Sequence, residues 1–151
     1  MVIYIGADHR GFEMKEQLKA FLQGGGWSVV DMGAKEKVDD DDYVDYAKAV
    51  SEKVSQDPLQ GRGILICANG VGMDVVANKF YQVRSVLAIS PDHVLTSRED
   101  DDTNVLSLAA DFIDGESAKR IVSVWLQTPF SGEERHKRRL DKIRQIDNSL
   151  N

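Results

Sequence analysis

With one cysteine, Cys67, among 151 residues, the chain cannot form an intramolecular disulfide. Nothing then points to an oxidising compartment, and the cytoplasm is the expected location. Nowhere does an apolar run approach the roughly 20 residues needed to span a bilayer, and no basic leader precedes an apolar stretch, so a soluble protein beginning at Met1 is expected. Excess positive charge is also missing. A formal net charge of -6 disfavours a nucleic-acid or anionic-membrane surface spread over the whole molecule, and any anion site has to be local. Aromatic residues make up only 7%, but 42% of residues are hydrophobic and 29% charged, which places the chain among ordinary globular proteins. Its length suits one domain, 1–151.

Short β-branched runs alternate with longer amphipathic stretches, which predicts a parallel sheet with helical crossovers. The strands are read as Val2 to Ile5, Trp27 to Met32, Gly63 to Cys67, Val83 to Ile89 and Asn104 to Leu108. The helices are Gly11 to Gln23, about Val44 to Val54, the segment from the glycine turn to Lys79, the one opening at Ser90-Pro91, and Gly115 to Gln127. A separate basic helix begins near Gly132. The expected fold is α/β: a three-layer α/β/α, doubly wound, Rossmann-like sheet of five parallel strands with an extra C-terminal helix. Such sheets bind ligands beyond the carboxyl ends of their strands, which directs attention to the loops after Ile5, Cys67 and Ile89.

Cys67 ends the third strand and leads into Ala68-Asn69-Gly70-Val71-Gly72-Met73. Backbone amides of such a turn can cradle an oxyanion, and the start of the following helix should lower the thiol's pKa toward a thiolate. A small buried hydrophobe is the competing reading of a lone cysteine. Gly70 and Gly72 match neither the dinucleotide fingerprint nor the Walker motif. Asp8-His9-Arg10-Gly11 follows the first strand and puts His9 at the same crevice. Arg135 and Arg139, four apart with Arg138 close by, present guanidinium forks that suit a phosphate, although a solvated basic helix would look the same. The acidic runs Asp39 to Asp42 and Glu99 to Asp102 lack the spacing of a calcium loop and read as solvated.

Together the segments IGADHRGFEMKEQLKAFL, DYVDYAKAV, GILICANGVGM, VVANK, NVLSLAA and ERHKRRLDKI resemble the ribose-5-phosphate isomerase B and galactose-6-phosphate isomerase group, in order and spacing. The resemblance implies an aldose-ketose isomerase that works through a cis-enediolate without metal or other cofactor, and places it in pentose phosphate metabolism. It implies that Cys67 is the base and that Asn69, Gly70, Val71 and Gly72 stabilise the oxyanion. By the same matching, Asp8, His9 and Tyr43 contact substrate, with His9 near the phosphate; Arg135 and Arg139 bind that phosphate; and Asn78 and Lys79 close the crevice floor. Partners are limited to a small sugar phosphate and to further copies of the chain, in a homodimer or tetramer with shared active sites.

Two departures from the family pattern carry consequences. The ring-opening histidine, two residues after the arginine matching Arg98, is replaced by Asp100, followed by Asp101 in place of an asparagine, and the phosphate-reaching arginine after the fifth strand is replaced by Asp111. In the turn, Asn69 stands for the usual threonine and Ala68 for a glycine. Asp100 and Asp101 are therefore carried as site residues. Activity on ribose 5-phosphate is expected to be weak beside that on another sugar or tetrose phosphate. A non-catalytic sugar-phosphate binder is the alternative from another class, and a nucleotide-binding domain ranks below both.

Overall fold

The computed structural model describes residues 1–150, the last of them by its backbone alone. The strands are β1 (Val2–Ala7), β2 (Val29–Asp31), β3 (Gly61–Cys67), β4 (Ser85–Leu87) and β5 (Val105–Ala109). The helices are α1 (Phe12–Gly24), α2 (Tyr43–Gln56), α3 (Val71–Ala77), α4 (Pro91–Asp101), α5 (Gly115–Gln127) and α6 (Glu134–Leu150). All five strands pair in parallel in the order β2-β1-β3-β5-β4. This is the expected doubly wound sheet with its extra C-terminal helix.

Alternation along the inner strands produces two cores. Ile64 and Ile66 of β3 face α1, α4 and α5, where Leu18, Leu22, Val94, Ile121 and Trp125 close over them. Leu65 and Cys67 face the opposite way, against Ala47, Val50 and Val54 of α2 and Met73 and Ala77 of α3. Period-two geometry thus fixes which helix layer the thiol belongs to. Each of the buried Leu, Ile, Val and Met side chains among these contributes roughly 1.5–3 kcal/mol relative to exposure.

The edge strands are shorter than their sequence patterns suggest. Trp27 to Met32 yields only Val29–Asp31, and Val83 to Ile89 only Ser85–Leu87. Both are edge strands with a neighbour on one side alone, and their flanking residues Ser28, Met32, Arg84 and Ala88 still bond to β1 or β5 but do not extend the regular ladder. Helix starts agree better with expectation because side chains cap them: Ser90 accepts from the His93 amide ahead of Pro91, Asp42 from Val44, and Asp114 from Ser117. Among the described residues, no helix is long and apolar enough to cross a membrane.

Candidate active site

β3 delivers Cys67 to the carboxyl edge of the sheet, opposite Ala109 of β5. The chain then turns through Gly70, whose φ of +74° favours glycine and whose Cα sits where a Cβ would overlap Leu87. Gly72 has a different reason: the Tyr43 ring lies so close that a Cβ would fall 2.6 Å from it. Tyr43, at the first position of α2, is thereby laid over the turn. Sequence matching brought Tyr43 to this site, and the packing explains how it is held there.

The turn is organised around the sulfur. The Gly70 amide donates to Cys67 Sγ at 3.2 Å, with the amides of Met73 and Asn69 directed at the same atom. The Val71 amide is taken by Asn69 Oδ1 at 3.0 Å. These donors do not produce the lowered thiol pKa expected from sequence. Burial pushes the Cys67 thiol above its ordinary value, the Asp8 carboxylate adds to the rise, and the amides recover only part of it. The expectation overlooked two things: the thiol is 5% exposed, and a carboxylate stands nearby.

Asp8 is itself buried, and burial raises its pKa against the hydrogen bonds from the Gly11 and Arg10 amides. Its Oδ1 accepts both amides at 3.0 Å and so shapes the loop that presents His9 and Arg10. Each of those two side chains has a carboxylate of its own. His9 Nδ1 lies 2.7 Å from Asp41 Oδ1, and Arg10 Nη2 donates to Asp111 Oδ2 at 2.7 Å. Asp41 and Arg10 were not singled out from sequence. No periodicity signals a pair formed between two loops. Asp111, read as an anion that would repel phosphate, is neutralised in place by Arg10.

The remaining candidates lie elsewhere. α4 descends from the carboxyl edge of β4 to the amino edge of β5, so Asp100 and Asp101 end up beside Arg84, whose guanidinium donates to the Asp101 and Asp102 carbonyls. They line a cavity of about 390 Å³ with Asn78, Ser85 and His93. Asn78 clamps Ser85 by two hydrogen bonds there, so its place is under β4 and not beside Cys67. The N-terminal turn of α6 is at the same edge: the Ser131 amide donates to the Glu99 carbonyl, and His136 Nε2 lies 3.5 Å from Asp100 Oδ1. His136 is 2% exposed, a buried histidine hidden in a basic helix and missed from sequence. Arg135 and Arg139 on that helix are exposed. Six residues of β5 and its lead-in separate the two edges, roughly 20 Å at about 3.3 Å per residue. Within one chain, Cys67, Asp8, His9, Tyr43 and Asn69 to Gly72 therefore come together, while Asp100, Asp101, Arg135 and Arg139 do not join them.

The profile of the ribose/galactose isomerase family matches residues 3–143. The chain belongs to that family. Ribose-5-phosphate isomerase B of Escherichia coli is 38% identical over 151 residues, covering 99% of this chain and 98% of the relative. The probable ribose-5-phosphate isomerase B of Mycoplasma genitalium is 37% identical over 141 residues, covering 93% and 92%. Among solved structures, the M. genitalium ribose-5-phosphate isomerase B with bound ribulose-5-phosphate superposes with a TM-score of 0.94 at 35% identity, over 97% of this chain and 96% of that one. The Clostridium thermocellum ribose-5-phosphate isomerase B gives 0.94 at 34% over the full length of both. Like other members of the ribose/galactose isomerase family, this chain is an isomerase.

Proposed function

We propose that the chain interconverts an aldose phosphate and its ketose by proton transfer at Cys67, in a site completed by a second copy. The observation that carries this reading is the sulfur at the carboxyl edge, ringed by the amides of Gly70, Met73 and Asn69 beneath Tyr43. The thiolate takes the proton from the carbon beside the carbonyl, and the electron pair moves to make a carbon–carbon double bond and an oxyanion. Turn amides and the Asn69 side chain stabilise that charge. The thiol returns its proton to the neighbouring carbon, and the hydroxyl proton passes to the former carbonyl oxygen, leaving the isomeric carbonyl. Cys67 thus carries the carbon-bound proton in both directions, and the proton lost by the hydroxyl is the one gained by the former carbonyl oxygen.

His9 contacts the phosphate from the same chain. Arg135, Arg139, Asp100 and Asp101 stand a sheet's height away and complete the site of a partner. Exposed Val71, Val75, Ile89 and Phe112, on α3 and past the ends of β4 and β5, offer an apolar surface for that copy. With Arg10 neutralising Asp111, the objection to ribose 5-phosphate narrows to ring opening at Asp100, whose neighbour His136 supplies an imidazole close by.

The test is an assay of ribose 5-phosphate, tetrose phosphates and hexose 6-phosphates with wild type and Cys67→Ala. Turnover of at least one phosphosugar, falling about 10²–10⁴-fold in the variant, is expected. Binding without turnover would instead identify a sugar-phosphate-binding paralogue.

A further inference from the structure

The acidic run ahead of α2 divides its work. Asp42 caps the helix, whereas Asp41, with a side chain only 8% exposed, turns inward to the β1–α1 loop. Its Oδ1 accepts two hydrogen bonds from one residue, the His9 backbone N–H at 2.9 Å and His9 Nδ1 at 2.7 Å. Gripping both the backbone and the ring fixes where His9 sits and how its imidazole is rotated. Because an ionised carboxylate only accepts, Nδ1 carries the proton. Nε2 has no partner among the described residues, and the ring is 30% exposed toward solvent. Tyr46 of α2 backs the carboxylate. Although burial pushes Asp41 up, the hydrogen bonds from His9, with the Tyr46 hydroxyl nearby, more than offset it and hold the group below its ordinary value, while Oδ2 is buried without a hydrogen-bond partner among the described residues.

We propose that Asp41 is a positioning residue for His9: it locks the Nδ1–H tautomer and presents Nε2 to the phosphoryl group of the substrate. This rests on reading the site as that of a phosphosugar isomerase. A neutral imidazole in this tautomer aims a lone pair at an incoming dianion, which is repulsive. Uptake of one proton from solvent as the phosphoryl group binds turns Nε2 from acceptor into donor, while the Asp41 carboxylate on the far side of the ring holds its orientation. The titratable neighbours are the carboxylate of Asp8 on the same loop, that of Asp45 on α2 and the neutral phenol of Tyr46, which bear on the same electrostatic cluster. Arg10 is engaged with Asp111. The sequence spacing of 32 residues between His9 and Asp41 conceals the pair, yet the arrangement is that of a ligand histidine oriented from behind by a carboxylate.

Ring ¹⁵N NMR and steady-state kinetics on full-length wild type, Asp41→Asn and Asp41→Glu test the proposal, with inorganic phosphate as the NMR probe and His9→Gln to assign the signals. In wild type, His9 Nδ1 should be protonated in the free protein, and Nε2 should become protonated as phosphate saturates. Asparagine keeps the shape and an acceptor but loses the charge. It should blunt the phosphate response and raise KM for the phosphosugar about tenfold with kcat within about twofold, as expected for loss of a charge-assisted bond. Glutamate should restore part of the response. An unprotonated Nδ1, a wild-type Nε2 that ignores phosphate, or an Asn variant with unchanged KM and phosphate response would overturn it. Wild-type turnover separates the two readings. If turnover is present and Asp41→Asn is neutral, the role of Asp41 falls and the isomerase stands. If no phosphosugar is turned over, the isomerase reading falls, and the NMR response still decides for or against Asp41.

Discussion

Arg10 of the β1–α1 loop and Asp111 of the β5–α5 loop form a 2.7 Å ion pair across the carboxyl edge of the sheet, next to His9. Both side chains are well exposed, so their pairing adds little to stability. Its consequence is local: an anion that would face an incoming phosphate is matched by a cation. Arg10→Ala should leave Asp111 unmatched and raise KM for the phosphosugar about tenfold, the size of one lost charge-assisted contact. Removing both in Arg10→Ala/Asp111→Ala should bring KM part of the way back. Equal KM values for the single and double variants would show that Asp111 exerts no repulsion. Melting temperatures of all three proteins should agree with wild type.

The Cys67 thiol provides a pH signature. Burial, then Asp8, pushes its pKa above the ordinary value of 9.0 against the three amides. The thiolate is the reacting form, so alkylation by iodoacetamide should be slow at neutral pH and climb through the alkaline range. Asp8→Asn keeps an oxygen for the Gly11 and Arg10 amides but removes the negative charge, so the midpoint of the climb should move to lower pH. Mass spectrometry of the alkylated chain at a series of pH values measures both curves. Coincident midpoints would remove Asp8 as a cause of the raised thiol.

Residues whose signal lies in their immediate neighbours were legible in the sequence. Gly63 to Cys67 is apolar because β3 is covered on both faces, and the glycines after it mark a turn that must pass under Leu87 and Tyr43. Asp41, Arg10 and His136 stayed hidden because each acquires its meaning from a partner far along the chain: His9, Asp111 and Asp100. A run of four aspartates reads as a solvated loop until the fold buries one of them. Arg135 and Arg139 matched a family pattern, but only the path of α4 and α5 down the sheet shows that they stand at the edge away from their own Cys67.

Lys15 is fully buried, and this too comes from a distant partner. Its Nζ meets Asp31 Oδ2 at 2.6 Å and Glu16 at 2.5 Å, with Lys19 bridging the same two carboxylates at 2.7 Å. Burial raises the Asp31 pKa, but hydrogen bonds from Lys15 and Lys19 overcome it and leave the group below its ordinary value of 3.8. A depressed carboxylate contributes stability that is fully present above its unfolded pKa and is lost as pH falls through the folded one. Asp31→Asn, which leaves a buried ammonium with Glu16 alone, should therefore cost about 3 kcal/mol in urea unfolding at pH 7. The difference from wild type should shrink as the pH drops below 3.8. A difference that stays constant down the acid range would mean that the cluster is held by packing.

Separation of Cys67 from Arg135 and Arg139 by the height of the sheet makes each site a joint product of two chains, if the isomerase works as proposed. Cys67→Ala removes the base from every site, and Arg135→Ala/Arg139→Ala removes phosphate contacts from every site, so each homodimer should be nearly inactive. In a mixed dimer the two lesions fall in the same site, and the other site keeps Cys67 from one chain with both arginines from its partner. Co-expression at equal levels produces half mixed dimers with one sound site each, so about a quarter of wild-type kcat should return in a two-fold symmetric assembly. Differently tagged chains allow the mixed species to be isolated, where recovery should approach one half per dimer. If Cys67 and the arginines served the same chain's substrate, each chain of the mixed dimer would carry one broken site and activity would stay at the level of the parents. The assay thus decides between shared and self-contained sites without any reference to which sugar is turned over fastest.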